Sequence, residues 1–174
     1  MGLWPAGAAG GVGVKSKTPP AYWLLIEPYW EKISIYDGPE QFLREFQTAP
    51  LTVRNLFASH WLQSEVLNGG FGQFFDNSTG VLAPEAADGF LAIGMPEASK
   101  FIRHVMSGFG EIYPRDRDQR FEFLEDFYDN AESAGKEYAA NPLSSYLDED
   151  FFELVESENG GFWVSANRYA ERSE

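Results

Sequence analysis

Cysteine is absent from this 174-residue sequence, and histidine occurs only twice. Without cysteine the chain can form no disulfide, no thiol nucleophile and no cysteine-ligated zinc site, and the composition fits a reducing cytoplasm. No apolar run reaches the roughly 18–20 residues that a membrane-spanning helix needs. We therefore expect a cytoplasmic protein that does not bind a membrane.

Basic residues are also scarce. The 13 lysine and arginine residues face 27 aspartate and glutamate residues, which gives a formal net charge of −14. A protein with this charge repels nucleic acid and anionic membranes and attracts basic proteins, so we expect no direct binding of nucleic acid. The alternative is an acidic surface that only keeps the protein soluble.

Large apolar residues are few before Pro20 and frequent after it. Residues 1–20 are rich in glycine, alanine and proline, and their only charges, Lys15 and Lys17, do not precede an apolar stretch as in a secretory signal. We predict a flexible leader over residues 1–20 and a single domain over residues 21–174. The 15 Phe, 8 Tyr and 5 Trp predict a core of large rings packed against small residues.

Apolar residues recur at steps of three and four, and glycine or proline interrupts them at short intervals. This pattern predicts an all-α fold, a single compact multi-helix domain with about seven to nine helices. Pro28 should begin or bend the first helix. The clearest helix runs from about Pro50 to Asn68, where Gly69 and Gly70 should end it. A short helix over 71–75 and a loop over 77–80 should follow.

The excess of acid is concentrated in residues 111–158, which hold 15 acidic and 4 basic residues, a net charge of −11. Within this segment we predict a helix over about 118–131 with an apolar and an acidic face, each about 120° wide at 100° per residue. The apolar face comprises Phe121, Leu124, Phe127, Tyr128 and Ala131. The acidic face comprises Asp118, Glu122, Glu125, Asp126, Asp129 and Glu132. A second acidic cluster comprises Asp148, Glu149, Asp150 and Glu153.

The energetic cost of the acidic face and the spacing of its carboxylates both favour a role in binding. Like charges four residues apart destabilise a helix by about 0.2–0.5 kcal/mol per pair. Asp118 and Glu132 lie about 21 Å apart along a helix, a length over which one DNA strand carries about six phosphates. The face offers six carboxylates over that length. We predict that both acidic clusters contact a basic partner, with a merely solvated face as the alternative.

His60 and the glycine-rich stretch after it are the candidate residues for catalysis or ligand binding. Glu65 lies five residues after His60, whereas a metal pair on a helix needs a spacing of four, so we expect a buried, hydrogen-bonded histidine. The stretch lacks the Lys-Ser/Thr ending of a phosphate-binding loop. We expect its amide side chains to hydrogen-bond the backbone at crowded helix ends. The structural motif comprises His60, Glu65, Asn68, Gly69, Gly70, Gln73 and Asn77.

No metal, cofactor or catalytic residue is predicted, and we expect a protein that is not an enzyme. An enzyme or small-ligand site at the Asn68–Asn77 loop, using His60 and Glu65, is the alternative. A solvent-open cleft at that loop would favour this alternative.

The stretch HWLQSEVLNGGFGQFFDNSTGVLAPEA, residues 60–86, is long and specific, and SIYDGPEQFL precedes it at residues 34–43. Together they resemble a family of acidic, all-helical bacterial DNA-mimic proteins that was formerly a domain of unknown function. The resemblance implies surface carboxylates that imitate DNA phosphates, a helix-turn-helix transcription factor as partner, and a homodimer. It assigns no binding acid to a position here, so the acids named above come from the charge distribution.

These observations predict an acidic regulator that binds the basic surface of a DNA-binding protein and blocks its access to DNA. An immunity or antitoxin-type protein that neutralises a basic partner would need the same acidic surface and remains an alternative.

Overall fold

The computed structural model describes residues 19–173, so nearly all of the predicted leader over 1–20 lies outside the described residues. Within that range every regular element is a helix. The α-helices are α1 (Ala21–Trp30), α2 (Pro39–Thr48), α3 (Leu51–Asp76), α4 (Ala83–Ala92), α5 (Pro96–Met106), α6 (Arg117–Asp129), α7 (Ala131–Ala134), α8 (Lys136–Ala140), α9 (Pro142–Ser145), α10 (Asp148–Ser157) and α11 (Phe162–Glu171).

The predicted all-α fold is confirmed. The helices beyond the predicted number come from residues 131–145, where α7, α8 and α9 have only four or five residues each. Gly135, with φ of 49°, separates the first two, and Pro142 begins the third. The predicted start or bend at Pro28 is corrected in part, because α1 already begins at Ala21 and contains Pro28 near its end.

The long helix α3 is kinked at the predicted glycines. Gly69 and Gly70 have non-helical backbone angles, and Gly70 adopts φ of 78°, a conformation that favours glycine. A second helical segment begins at Phe71 and continues to Asp76, so the predicted end of the first helix at these glycines and the short helix after them are confirmed. The predicted loop over 77–80 is wrong in part, since residues 78–82 form a 3₁₀ turn.

Large aromatic rings form the core, as the composition predicts. Fully buried rings include those of Phe57, Phe74 and Phe90. Helix α4 approaches α3 closely at Gly89, where a Cβ atom would lie 2.4 Å from the carbonyl oxygen of Asn55. A small residue at this crossing therefore brings two helices into backbone contact and lets the rings pack on either side.

Candidate partner-binding surface

Six exposed acids lie along the outer side of α6 and its continuation. We call this set the acidic arc: Asp118, Glu122, Glu125, Asp126 and Asp129 on α6, and Glu132 on α7. The predicted single helix over 118–131 is wrong at its end, because α6 ends at Asp129 and Asn130 separates it from α7. Five acids therefore share one helix, and the sixth stands on the short helix that follows.

The inner face of α6 is centred on an arginine. Arg120 and Leu124 are buried, whereas Phe121 and Tyr128 keep 43% and 47% of their surface exposed. Two residues of the predicted apolar face, Phe121 and Tyr128, therefore lie at the surface and not in the core. Arg120 occupies the centre of the inner face. At about 100° per residue, Phe121 lies at the edge of that face. The five acids of α6 lie within about 60° of the direction opposite Arg120.

Arg120 is fully buried and forms no ion pair with a carboxylate among residues 19–173, and backbone carbonyls satisfy its guanidinium. Its Nε donates to the Phe75 carbonyl at 2.8 Å, and its Nη2 donates to the Asn77 carbonyl at 2.8 Å. Its Nη1 donates to the carbonyls of Pro114 and Arg115 at 3.2 and 2.7 Å. Burial lowers the pKa of Arg120, but a guanidinium keeps its charge in proteins. Arg120 thus ties the acidic helix to the end of α3.

The other two arginines at the start of α6 also point away from the acidic arc. Arg115 pairs with Glu85 through two hydrogen bonds of 2.6 and 2.9 Å. Arg117 donates to the Asp76 carbonyl at 2.6 Å. None of the ion pairs between described residues involves an acid of the arc. The negative charge of the arc is therefore uncompensated by residues 19–173.

The second predicted cluster divides into two kinds of acid. Glu149, Asp150 and Glu153 are exposed, whereas Asp148 is half-buried and its Oδ1 accepts a 2.9 Å hydrogen bond from the Phe71 amide. Asp148 therefore caps the second half of α3. The exposed acids in the first turn of α10 are stabilised by the positive end of the helix dipole, which is sufficient to explain their presence there.

Tyr128 lies on α6 beside the acidic arc and is also influenced by the charge of Asp148 in the second cluster. Partial burial raises the pKa of its phenol, and the nearby Tyr138 and Asp148 raise it further. Tyr146, which precedes α10, is affected in the same way. Burial raises the pKa of Tyr146, and Tyr128 and Asp148 raise it further. The charge of Asp148 at the start of α10 thus influences the phenols of both Tyr128 and Tyr146.

His60 lies in an aromatic cage and not beside Glu65. It is buried, its Nδ1 is 3.2 Å from the hydroxyl of Tyr22, and the rings of Trp23 and Trp30 lie 5.3 and 5.4 Å from it, centroid to centroid. Burial lowers its pKa to about 4. A neutral, enclosed imidazole suits a structural role.

Glu65 instead holds the amides of the motif together. Its Oε2 accepts from Gln73 Nε2 at 3.2 Å and from Asn77 Nδ2 at 2.9 Å. The expectation that these amides bond the backbone is therefore wrong. Asn68 is exposed and makes no side-chain hydrogen bond to the described residues. The structure thus brings Glu65, Gln73 and Asn77 together and leaves His60 and Asn68 apart from them.

One cleft lies away from the loop that the enzyme alternative would use. A cleft of about 190 Å³ lies between Tyr36 and the start of α6, away from the predicted Asn68–Asn77 site. Its arginines 115 and 120 already have the partners named above. Among residues 19–173 no group of three or more His, Asp or Glu side chains could hold a metal ion. No helix in that range is long and apolar enough to cross a bilayer.

A family model described as DMP19-like protein matches residues 47–172, which contain the kinked helix, the acidic arc and α10. The chain belongs to the DMP19-like protein family. The motif at residues 60–86 resembles this same family of DNA mimics. DNA mimicry fits the chain at the level of the family. Comparison with curated proteins and with solved structures gave no match.

Proposed function

We propose that this DMP19-like protein is a DNA mimic that uses the acidic arc to cover the basic surface of a DNA-binding protein, such as a helix-turn-helix transcription factor. The partner would then be unable to bind DNA. Glu149, Asp150 and Glu153 extend the surface, whereas Asp148 contributes its charge mainly as a capping residue.

One observation carries the proposal: the acids of the arc are exposed and form no ion pair within the described chain, while Arg120 is buried and Arg115 and Arg117 bond residues of other elements. A surface selected only for solubility more often mixes charges of both signs. The five acids of α6 cover about 16 Å of helix axis, over which one DNA strand carries about five phosphates. The match in spacing is close enough for lysine and arginine side chains to meet carboxylates as they would meet phosphates.

Binding should depend on the arc as a whole. An exposed ion pair contributes only about 0.2–1 kcal/mol, so no single acid should decide affinity. Complementary charge also speeds association, and salt screens that effect over about 10 Å at 0.1 M. We therefore expect tight binding at low salt and a steep fall in the association rate as salt rises.

The experiment begins with identification of the partner by pull-down from the native host at low and high salt. The purified partner is then titrated with the parent, with Glu125→Gln, and with a fourfold variant that carries Glu122→Gln, Glu125→Gln, Asp129→Asn and Glu132→Gln. The single change should weaken binding slightly, and the fourfold change by about tenfold or more, equivalent to about 1.4 kcal/mol.

A matched control carries Glu27→Gln, Glu31→Gln, Glu40→Gln and Glu171→Gln, which removes four exposed charges that lie outside α6 and α7. It has the same net charge as the fourfold arc variant and should bind as the parent does. Equal weakening by both variants would show that net charge alone matters. Retention of parental affinity by the arc variant would rule out the arc as the binding surface.

Competition with DNA separates mimicry from the immunity or antitoxin alternative. A DNA mimic and operator DNA should exclude one another on the partner, whereas a protein and DNA that bind the partner together would contradict mimicry. The homodimer that the resemblance implies stays a prediction, which sedimentation velocity can test on the free protein.

A further inference from the structure

Two exposed aromatic rings flank an acid of the arc. Phe121 and Tyr128 are seven residues apart on α6, about 10.5 Å along the axis, and both lie on the shoulder next to the acidic arc. Glu125 stands between them, four residues after Phe121 and three before Tyr128, so its side chain neighbours both rings on the helix surface. Its carboxylate is exposed and belongs to no ion pair between described residues.

The surroundings of the rings are acidic on both sides. The rest of the arc lies beyond Glu125, and the negative charge of Asp148 at the start of α10 acts on Tyr128. Leu147, which precedes α10, is 59% exposed and adds an apolar side chain beside these acids. A second copy of this chain would bring the same negative charge to the surface, so the charge favours a cationic occupant.

An arginine side chain fits this arrangement better than a lysine. Its guanidinium is planar, so one face can stack on an aromatic ring while its edge donates two hydrogen bonds to a carboxylate. A lysine ammonium is a compact, strongly hydrated point charge and cannot do both equally well. A cation over an exposed ring gains about two- to five-fold in affinity.

We propose that Phe121, Glu125 and Tyr128 form a binding site for arginine side chains of a basic protein partner. The inference rests on the proposed function and deepens it, because DNA phosphates offer no aromatic face. The rings add a contribution that salt does not screen, and they make the surface prefer partners whose DNA-binding face presents arginine over those that present lysine.

The test uses two capped peptides as probes, nona-arginine and nona-lysine, titrated by calorimetry at 0.1 and 0.4 M salt. The parent should bind the arginine peptide more tightly, and the preference should persist at the higher salt. Phe121→Ala and Tyr128→Ala should each reduce the preference by about two- to five-fold, whereas binding of the lysine peptide should change little. Tyr128→Phe keeps a ring and should keep the preference.

Leu24→Ala is the matched control, because Leu24 is a half-exposed apolar residue on α1. An arginine preference that survives Phe121→Ala combined with Tyr128→Ala would overturn the proposal. So would conversion of a dimer into monomers by that double change, since the rings would then be a subunit contact. The fourfold arc variant should weaken the binding of both peptides. Failure of the acidic surface and failure of the aromatic site would therefore give different results.

Discussion

The amide of Phe71 donates a 2.9 Å hydrogen bond to Oδ1 of Asp148, although the two residues lie 77 positions apart. Gly70, at φ of 78°, interrupts α3 immediately before Phe71, so the Phe71 amide begins a new helical segment without an intrahelical acceptor. An acid from the charge-rich part of the chain supplies the acceptor. Asp148 therefore stabilises the kink of the family motif while it adds to the negative charge of the surface.

Asp148→Ala should lower the free energy of unfolding by about 1 kcal/mol, within the range found for loss of helix-capping side chains. Alanine has no oxygen that could accept the hydrogen bond of the Phe71 amide. Asp150→Ala removes the same charge from an exposed neighbour on α10 and should change stability by less than about 0.5 kcal/mol. Denaturant unfolding of both variants measures the difference, and equal effects would show that the cap is not stabilising.

The two glycines on either side of Phe71 should respond in opposite ways to alanine. At Gly70 the backbone has φ of 78° and a Cβ atom would lie 2.3 Å from Oδ2 of Asp148, so Gly70→Ala should destabilise the fold by more than about 1 kcal/mol. At Gly72 a Cβ atom would meet nothing within 4 Å. Gly72→Ala should therefore stabilise the helix by about 0.5–1 kcal/mol. Thermal unfolding of the pair tests this, and destabilisation of similar size by both would contradict it.

The sequence was a good guide to helices that a local signal delimits. Pro50 marks the start of a helix and the glycines at 69 and 70 mark its interruption, and the structure contains both. Periodicity misassigned the inner face of α6, because it counts Arg120 as polar and cannot show that four carbonyls surround it, two of them from the distant residues Phe75 and Asn77. The ties of Glu65 to Gln73 and Asn77 also depend on the kink, which brings residues eight and twelve positions apart within hydrogen-bonding distance.

The candidate surface was less predictable than the fold. Charge counting locates the acidic segment, but only the structure separates an acid that caps a helix, such as Asp148, from exposed acids such as Glu149. Glu158 shows the same limit, since its two oxygens accept from the amides of Glu97 and Ala98 at 2.8 and 2.9 Å. Such contacts span some sixty residues and leave no periodic trace in the sequence.

Arg120 should be the most important polar side chain for stability. Arg120→Met removes the donors of four carbonyls that are packed around it, and each buried group left unpaired costs about 1–3 kcal/mol, so we expect a loss of roughly 3 kcal/mol or more. Arg172→Met removes an exposed positive charge and should change stability by less than about 0.5 kcal/mol. Hydrogen exchange should locate the loss of protection in α6 and at the end of α3. Uniform, mild effects in both variants would contradict an anchoring role.

His60 should make the fold less stable as the pH falls. Burial lowers its pKa from the ordinary value of 6.5 to about 4, so the folded protein keeps the imidazole neutral while the unfolded chain takes up a proton below about pH 6.5. The unfolded state therefore binds more protons between these values, and acidification favours it. One pKa unit corresponds to about 1.36 kcal/mol, which gives a loss of about 2 kcal/mol between pH 7 and pH 5.

The acids also titrate as the pH approaches 5, so the effect of His60 is read as a difference between parent and His60→Phe. The variant keeps an aromatic ring in the cage and removes the titrating group, so its stability should fall by about 2 kcal/mol less than the parent's over the same pH range. Tyr22→Phe removes the hydroxyl 3.2 Å from Nδ1 but leaves the buried imidazole, and it should keep the parental pH dependence. Parallel curves for the parent and His60→Phe would show that protonation of this histidine is not linked to unfolding.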